Sequence, residues 1–335
     1  MIPTPWVVSV VVFVVIQLPP GDFLDSEVAR LEQKGNNQVA QEYLESLKKM
    51  FWLDKPMITR YAHWLGLKWF VTFDEQNTGL LQGNMGRSMQ LHLRPVNQLV
   101  GDRLLLTFLI SLGTIIFNFS VSIPVGIYSA VRQYSVSDYV LTFIGFIGLC
   151  IPNFLLALLL MHASSEWFGI SVTGLFSPEY AAQATWTWGK FVDLLKHIWI
   201  PVFVAGTAGT AGGIRSMRAN LLDELKKPYV VTARAKGVRP IKLLLKYPVR
   251  LALNPTVSGI GAIFPRLVSG GAITAIVLSL PTVGPLMLEA LTTEDMYVAG
   301  SMLMFLSVLT VLGTLVSDLL LLVLDPRIRF GSGAR

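Results

Sequence analysis

Charge and cysteine are both scarce in this chain. Charged residues are 14% of the 335 and hydrophobic residues 53%, against about a quarter charged in ordinary soluble domains. That balance excludes a soluble globular class. A single cysteine, Cys150, sits inside an apolar run. It excludes a disulfide framework within the chain and reads as a small packing residue. Enzyme signatures are missing too. The four histidines, His63, His92, His162 and His197, are scattered over loops and a span end. No HExxH pair, GxSxG elbow or GxxxxGK[ST] phosphate loop occurs, so metal, catalytic and nucleotide sites have no support. If ATP drives this chain, another chain binds it.

Long apolar runs are what it has instead. Mean hydropathy is +0.57, and a helix needs about 20 apolar residues to cross a bilayer. Six runs qualify: Ile2–Leu18, Val100–Tyr128, Val140–Met161, Ile198–Gly213, Val257–Leu280 and Met302–Leu324. The expectation is an all-α polytopic membrane protein of about six transmembrane helices. The fourth run is rich in Gly, Ala and Thr, which suits a helix packed closely among others. The first is short, rising about 26 Å where the hydrocarbon core is about 30 Å. Pro3 and Pro5 weaken its start; either the span tilts into a thin region of the membrane or the true start lies upstream of Met1, the second being the favoured expectation.

Orientation follows from the excess of Lys and Arg on the cytoplasmic side. Residues 215–250 carry ten Lys/Arg against Asp223 and Glu224, and residues 325–335 have net charge +2. Both are expected to be cytoplasmic. Residues 281–298 hold Glu289, Glu294 and Asp295 with no base, and are expected outside. The net charge of +6 therefore belongs to loops beside the spans, not to a nucleic-acid surface. The organisation expected is a first helix over 1–18, an extracytoplasmic domain over 19–98, and a five-helix core over 99–335. Both termini are then cytoplasmic.

The 19–95 segment has nine acids and nine bases, a balance that lets a long loop translocate. Trp52, Trp64 and Trp69 suit the outer membrane interface, or a surface that receives a partner. Asp102 and Arg103 open the second span at the interface. Arg266 and Asp318 lie deeper, where ionisable groups are candidates for the substrate pathway. A structural ion pair between them is the plainer alternative.

The basic loop is the most distinctive stretch. Tyr229 to Lys236 favours a helix, Gly237 suits its C-terminus, and Pro240 permits a second helix over Ile241–Tyr247. Two short helices in a net +8 loop read as a surface that another protein grips.

Several motifs, spread over nearly the whole chain, resemble those of inner-membrane permease subunits of binding-protein-dependent ABC importers of the dipeptide, oligopeptide and nickel type. Pro20-Gly21-Asp22 resembles the family's PGD. Leu53-Asp54-Lys55-Pro56, Arg60-Tyr61 and Trp64-Leu65 are similar to its LDKP…Y…W. Gly83 to Ser88 resembles GDLGxS, Ile123 to Ile127 GIPLGI, and Ile151 to Leu160 IPxFLLALLL. Asp325-Pro326-Arg327-Ile328-Arg329 looks like the terminal DPRxR. Tyr229-Val230-Val231-Thr232-Ala233-Arg234-Ala235-Lys236-Gly237 is very similar to the peptide-permease YVRTARAKG, although only Ala233 and Gly237 match the broader EAA-type element.

The resemblance implies a coupling helix over about 228–238, with Tyr229, Val231, Thr232, Ala233, Arg234, Ala235, Lys236 and Gly237 facing an ATPase. It implies a chain that is not itself an enzyme and holds no cofactor, with ATP and Mg on separate ATPase subunits. The implied partners are a second homologous permease, two ATPase subunits, an extracytoplasmic substrate-binding protein and membrane lipid. Peptides, nickel complexes, glutathione and sugars are the family's cargoes. One departure is Ala275, which stands where the family often has an intramembrane acid. Leu278 replaces its aromatic, and Pro281 to Gly284 replace PGLG. The outer segment also has extra residues around Phe73–Leu81. The competing reading is a self-sufficient ion-coupled carrier or channel, for which Asp318 is the one embedded carboxylate.

Overall fold

The structure is a computed structural model. It describes residues 3–17, 37–74, 77–90, 93–169, 173–181, 183, 185 and 187–324. Pro20-Gly21-Asp22 and the tail from Asp325 lie outside the described residues. The chain is mostly helical, and the described residues contain no strand beyond an isolated bridge between Arg87 and Pro95. Among the described residues, three helices are long and apolar enough to cross a membrane, or four if one bent pair is a single span. Two compact units divide the chain.

The first unit takes residues 1–105 and 285–308. It contains α1 (Pro3–Ile16), α2 (Asn37–Met50), α3 (Met57–Leu65), α13 (Val283–Thr292, most of it) and the start of α14 (Met296–Leu324). Phe13 of α1 is buried, with ring centroids 5.2 Å from Tyr61 and 5.7 Å from Trp64. Trp64 is buried rather than lying at a membrane surface, because Gly300 of α14 lets it approach. A Cβ added at Gly300 would stand 3.0 Å from the indole. Trp52 is likewise occupied, stacked on His63 with the Lys68 ammonium above it.

The second unit takes residues 106–284 and 309–335. It holds most of α4 (Val96–Val131), then α5 (Val136–Cys150), α6 (Asn153–Phe168) and α7 (Trp188–Leu225). Four short helices follow: α8 (Pro228–Ala235), α9 (Pro240–Lys246), α10 (Pro248–Ala252) and α11 (Asn254–Ser258). Then come α12 (Ile263–Val277) and the rest of α14.

Two expected spans are broken in the structure. The third bends by 98° between α5 and α6. Ile151 is extended at φ −83°, ψ 121°, as the residue before a proline prefers. The fifth is interrupted between α11 and α12 by a tight turn over residues 260–262. There Gly261 runs so close to α14 that a Cβ would meet the Thr314 nitrogen at 2.7 Å. Cys150, expected to pack, is exposed at the end of α5.

The small-residue character of the fourth run agrees with α7, the most enclosed of the long helices. Glycines bring α4 onto it: Cβ atoms at Gly206 and Gly209 would fall 2.3 Å from Phe117 and 2.0 Å from Asn118. Larger side chains there would force the two helices apart. Ile200, Val204, Met217 and Leu221 fill the same seam and are fully buried.

Candidate functional site: the coupling segment and two polar anchors

Helix α8 forms because Pro228 supplies a pre-set φ at the first helical position and Val230 to Ala235 carry no breaker. It stops where Gly237 turns left-handed at φ +73°, a conformation cheap only for glycine. Pro240 starts α9 and Pro248 starts α10 in the same way. The expected helix and turn are therefore present at the expected residues.

The attachment of α8 to the protein is slight. Val230 is its buried side chain, a residue less conspicuous in the sequence than Tyr229. Tyr229 is tethered internally, its hydroxyl donating to Glu224 near the end of α7 at 2.5 Å. Val231 is 58% exposed, and Thr232, Arg234, Ala235, Lys236 and Gly237 are exposed beside it. Ala233 is half-buried and lines a cavity with Tyr229, Thr232 and Lys236. Helix α10 is the fixed part of this region. Val249 and Ala252 are buried with Ala130, Met217 and Leu221.

Near the same end of α7, Arg218 grips Asp138 of α5 with two bonds, 3.2 Å from Nε and 2.9 Å from Nη2. Asp138 is buried and also accepts from the Tyr134 N–H at 3.0 Å. Ser135 caps α5 through the Asp138 N–H. The Ser-x-x-Asp spacing ahead of an apolar run was the available signal.

A second anchor lies in the first unit. Asp295 precedes α14 and caps it, accepting from the Val298 N–H at 3.2 Å. Its other oxygen accepts from Ser88 Oγ at 2.5 Å, Met89 N at 2.9 Å and Gln90 N at 3.4 Å. Burial pushes the Asp295 carboxyl above its ordinary range, against the lowering pull of these donors. The Gly83–Ser88 motif thus has a structural use. Gly86 is left-handed at φ +78°, and a Cβ there would strike the Tyr297 ring at 2.5 Å. An acid directly before an apolar run is a helix N-cap signal, although in the sequence Asp295 stands out only as loop charge.

The two pathway candidates are not brought together. Arg266 and Asp318 are both exposed on their helices, and no ion pair joins them among the described residues. Ala275 instead lines a cavity of about 60 Å³ with Thr107, Ser111, Asn153, Thr274 and Thr282. Its polar lining is hydroxyl and amide, without charge.

The model of the family described as "Binding-protein-dependent transport system inner membrane component" matches residues 122–330. The chain belongs to that family. The match runs from the end of α4 through the short helices α8 to α11 and into α14, so this permease component carries α5 to α12 inside the family's own region. Curated relatives cover nearly the full length. The oligopeptide transport system permease protein AppB of Bacillus subtilis (strain 168) is 31% identical over 327 residues, 96% of this chain and 94% of the relative. The glutathione transport system permease protein GsiC of Pectobacterium atrosepticum is 30% identical over 330 residues, 98% of this chain and 96% of the relative. The dipeptide transport system permease protein DppB of Escherichia coli (strain K12) is 28% identical over 344 residues, again 98% and 96%. The permease is an inner-membrane component, and the family membership supersedes the reading of a self-sufficient carrier.

Proposed function

We propose that this permease forms half of the translocation pathway of an ATP-driven importer of short peptides or similar small solutes. A second homologous permease supplies the other half. Separate ATPase subunits carry ATP and Mg, and a substrate-binding protein delivers cargo from outside. The chain then has six spans with both termini cytoplasmic, α1 and the broken α11–α12 segment each counting as one. Peptides are the favoured cargo because permeases named for oligopeptide and dipeptide transport align with nearly all of this chain. Arg266 and Asp318 are exposed in a single chain, as groups facing a shared pathway would be.

The observation that carries the reading is α8: eight residues, one buried side chain, and an exposed outer face at Val231, Arg234 and Ala235. A helix so held moves as a lever if a partner grips its outer face. The test is mild extraction of the tagged chain, followed by identification of co-purifying proteins and an ATPase assay. An ATPase and a second permease are expected with the wild type and lost or uncoupled with Gly237→Val. Recovery of the chain alone, still moving solute after reconstitution, contradicts the proposal.

A further inference from the structure

A cavity of about 640 Å³ opens where α8, α9, α10 and the end of α14 converge. Its lining includes Lys236, Lys246 and Arg250, one from each of three elements, and no carboxylate among the described residues. All three cations are exposed. Tyr229 and Tyr247 add polarisable walls, the Tyr229 hydroxyl being already donated to Glu224. The fourth wall is Leu324, the end of a 29-residue apolar helix long enough to cross a membrane. The cavity therefore lies at the membrane surface on the coupling-segment side. Arg250 also donates to the Val323 carbonyl, a bond that joins the cationic floor to this helix end. Directly along α14, Leu319, Leu320 and Val323 are exposed at 55%, 41% and 61%.

Cations in a pocket beside exposed apolar helix turns match an amphiphile with a negative head and apolar tails. Basic pockets beside membrane helices take anionic headgroups for this reason. We propose that Lys236, Lys246 and Arg250 bind the phosphate-bearing headgroup of an anionic phospholipid, with its acyl chains along the last turns of α14. The bound lipid would bridge the coupling helix to the membrane, because Lys236 caps α8 while Arg250 holds α14. The tail after Leu324 is a poorer occupant on charge, being +2 itself.

The test is a titration of the delipidated full chain with phosphatidylglycerol, phosphatidylcholine or inorganic phosphate, with adducts counted by native mass spectrometry. Phosphatidylglycerol is expected to bind well above phosphatidylcholine, and millimolar phosphate to leave it in place. Each cation removed should weaken phosphatidylglycerol about fivefold, and Lys246→Glu more than Lys246→Gln. Arg250→Gln gives a second variant on a different element. Equal binding of the two lipids, or wild-type binding by both variants, overturns the proposal. Displacement by free phosphate assigns the site to a soluble anion and also overturns it. So does binding that emerges only after residues 325–335 are deleted, which gives the cavity to the tail. Loss of the lipid once the ATPase is bound overturns it as well, because the cavity then belongs to the ATPase interface.

Discussion

The coupling segment and the Asp295 anchor solve opposite problems. Helices α8, α9 and α10 each begin with proline and none has a side-chain cap. Helix α8 keeps one buried side chain and one tyrosine tether. Asp295 is buried with four donors on its carboxylate, three of them from the segment Ser88–Gln90. A weakly attached helix can be displaced without unfolding what surrounds it. A buried carboxylate with its donors satisfied cannot be moved without exposing or orphaning several groups. The chemistry of each attachment thus separates a helix held by few contacts from a segment held by many.

The sharpest way to break the comparison is Asp295→Ala. It removes the cap of α14 and leaves buried N–H donors unpaired, which should cost about 4 kcal/mol. A large drop in detergent melting temperature, or failure to accumulate, is the expected result. Asp295→Asn should restore part of that stability. It should also flatten the dependence on pH. Since burial raises the carboxyl's pKa, its contribution is fullest below the ordinary aspartate range and declines as pH rises through the raised value. Melting curves of the wild type and the Asn variant across that range check the sign.

Arg218→Ala comes next. It strands buried Asp138 without its cation, at about 3 kcal/mol, discounted for the partial exposure of the guanidinium. Arg218→Ala/Asp138→Asn together should recover much of the loss, readable as a double-mutant cycle.

The smallest stability effect belongs to the coupling segment. Gly237→Val puts a side chain at φ +73°, but a Cβ there meets nothing within 4 Å. Strain of about 1–2 kcal/mol is expected, with a melting temperature little changed and transport-coupled ATP hydrolysis strongly reduced. Tyr229→Phe should cost about 1 kcal/mol locally by freeing Glu224, and hydrogen exchange should show α8 opening faster. If instead these two variants destabilise the fold as much as Asp295→Ala, the contrast fails.

Local signals in the sequence carried the coupling segment well. Proline at Pro228 and Pro240 and glycine at Gly237 act through the backbone of one or two residues, so α8 and α9 could be bounded without tertiary information. The breaks in the third and fifth runs were less legible. Ile151-Pro152 sits within an unbroken apolar run, and hydropathy does not register a bend of 98°. The close crossing at Gly261 depends on Gly313 and Thr314, more than 50 residues away. Asp295 shows the same limit. Its place before an apolar run signals a cap, but the Ser88–Gln90 donors lie about 200 residues off, and only folding joins them.

The most direct test of the coupling claim uses the exposure of Val231. In a Cys150→Ser background, Val231→Cys places one thiol on the outer face of α8. The assembled transporter is treated with a short thiol-to-amine crosslinker, with and without ATP. A covalent product between this chain and the ATPase is expected, with a yield that changes when ATP is added. An actively transporting complex that gives no such product in either condition would contradict the coupling claim.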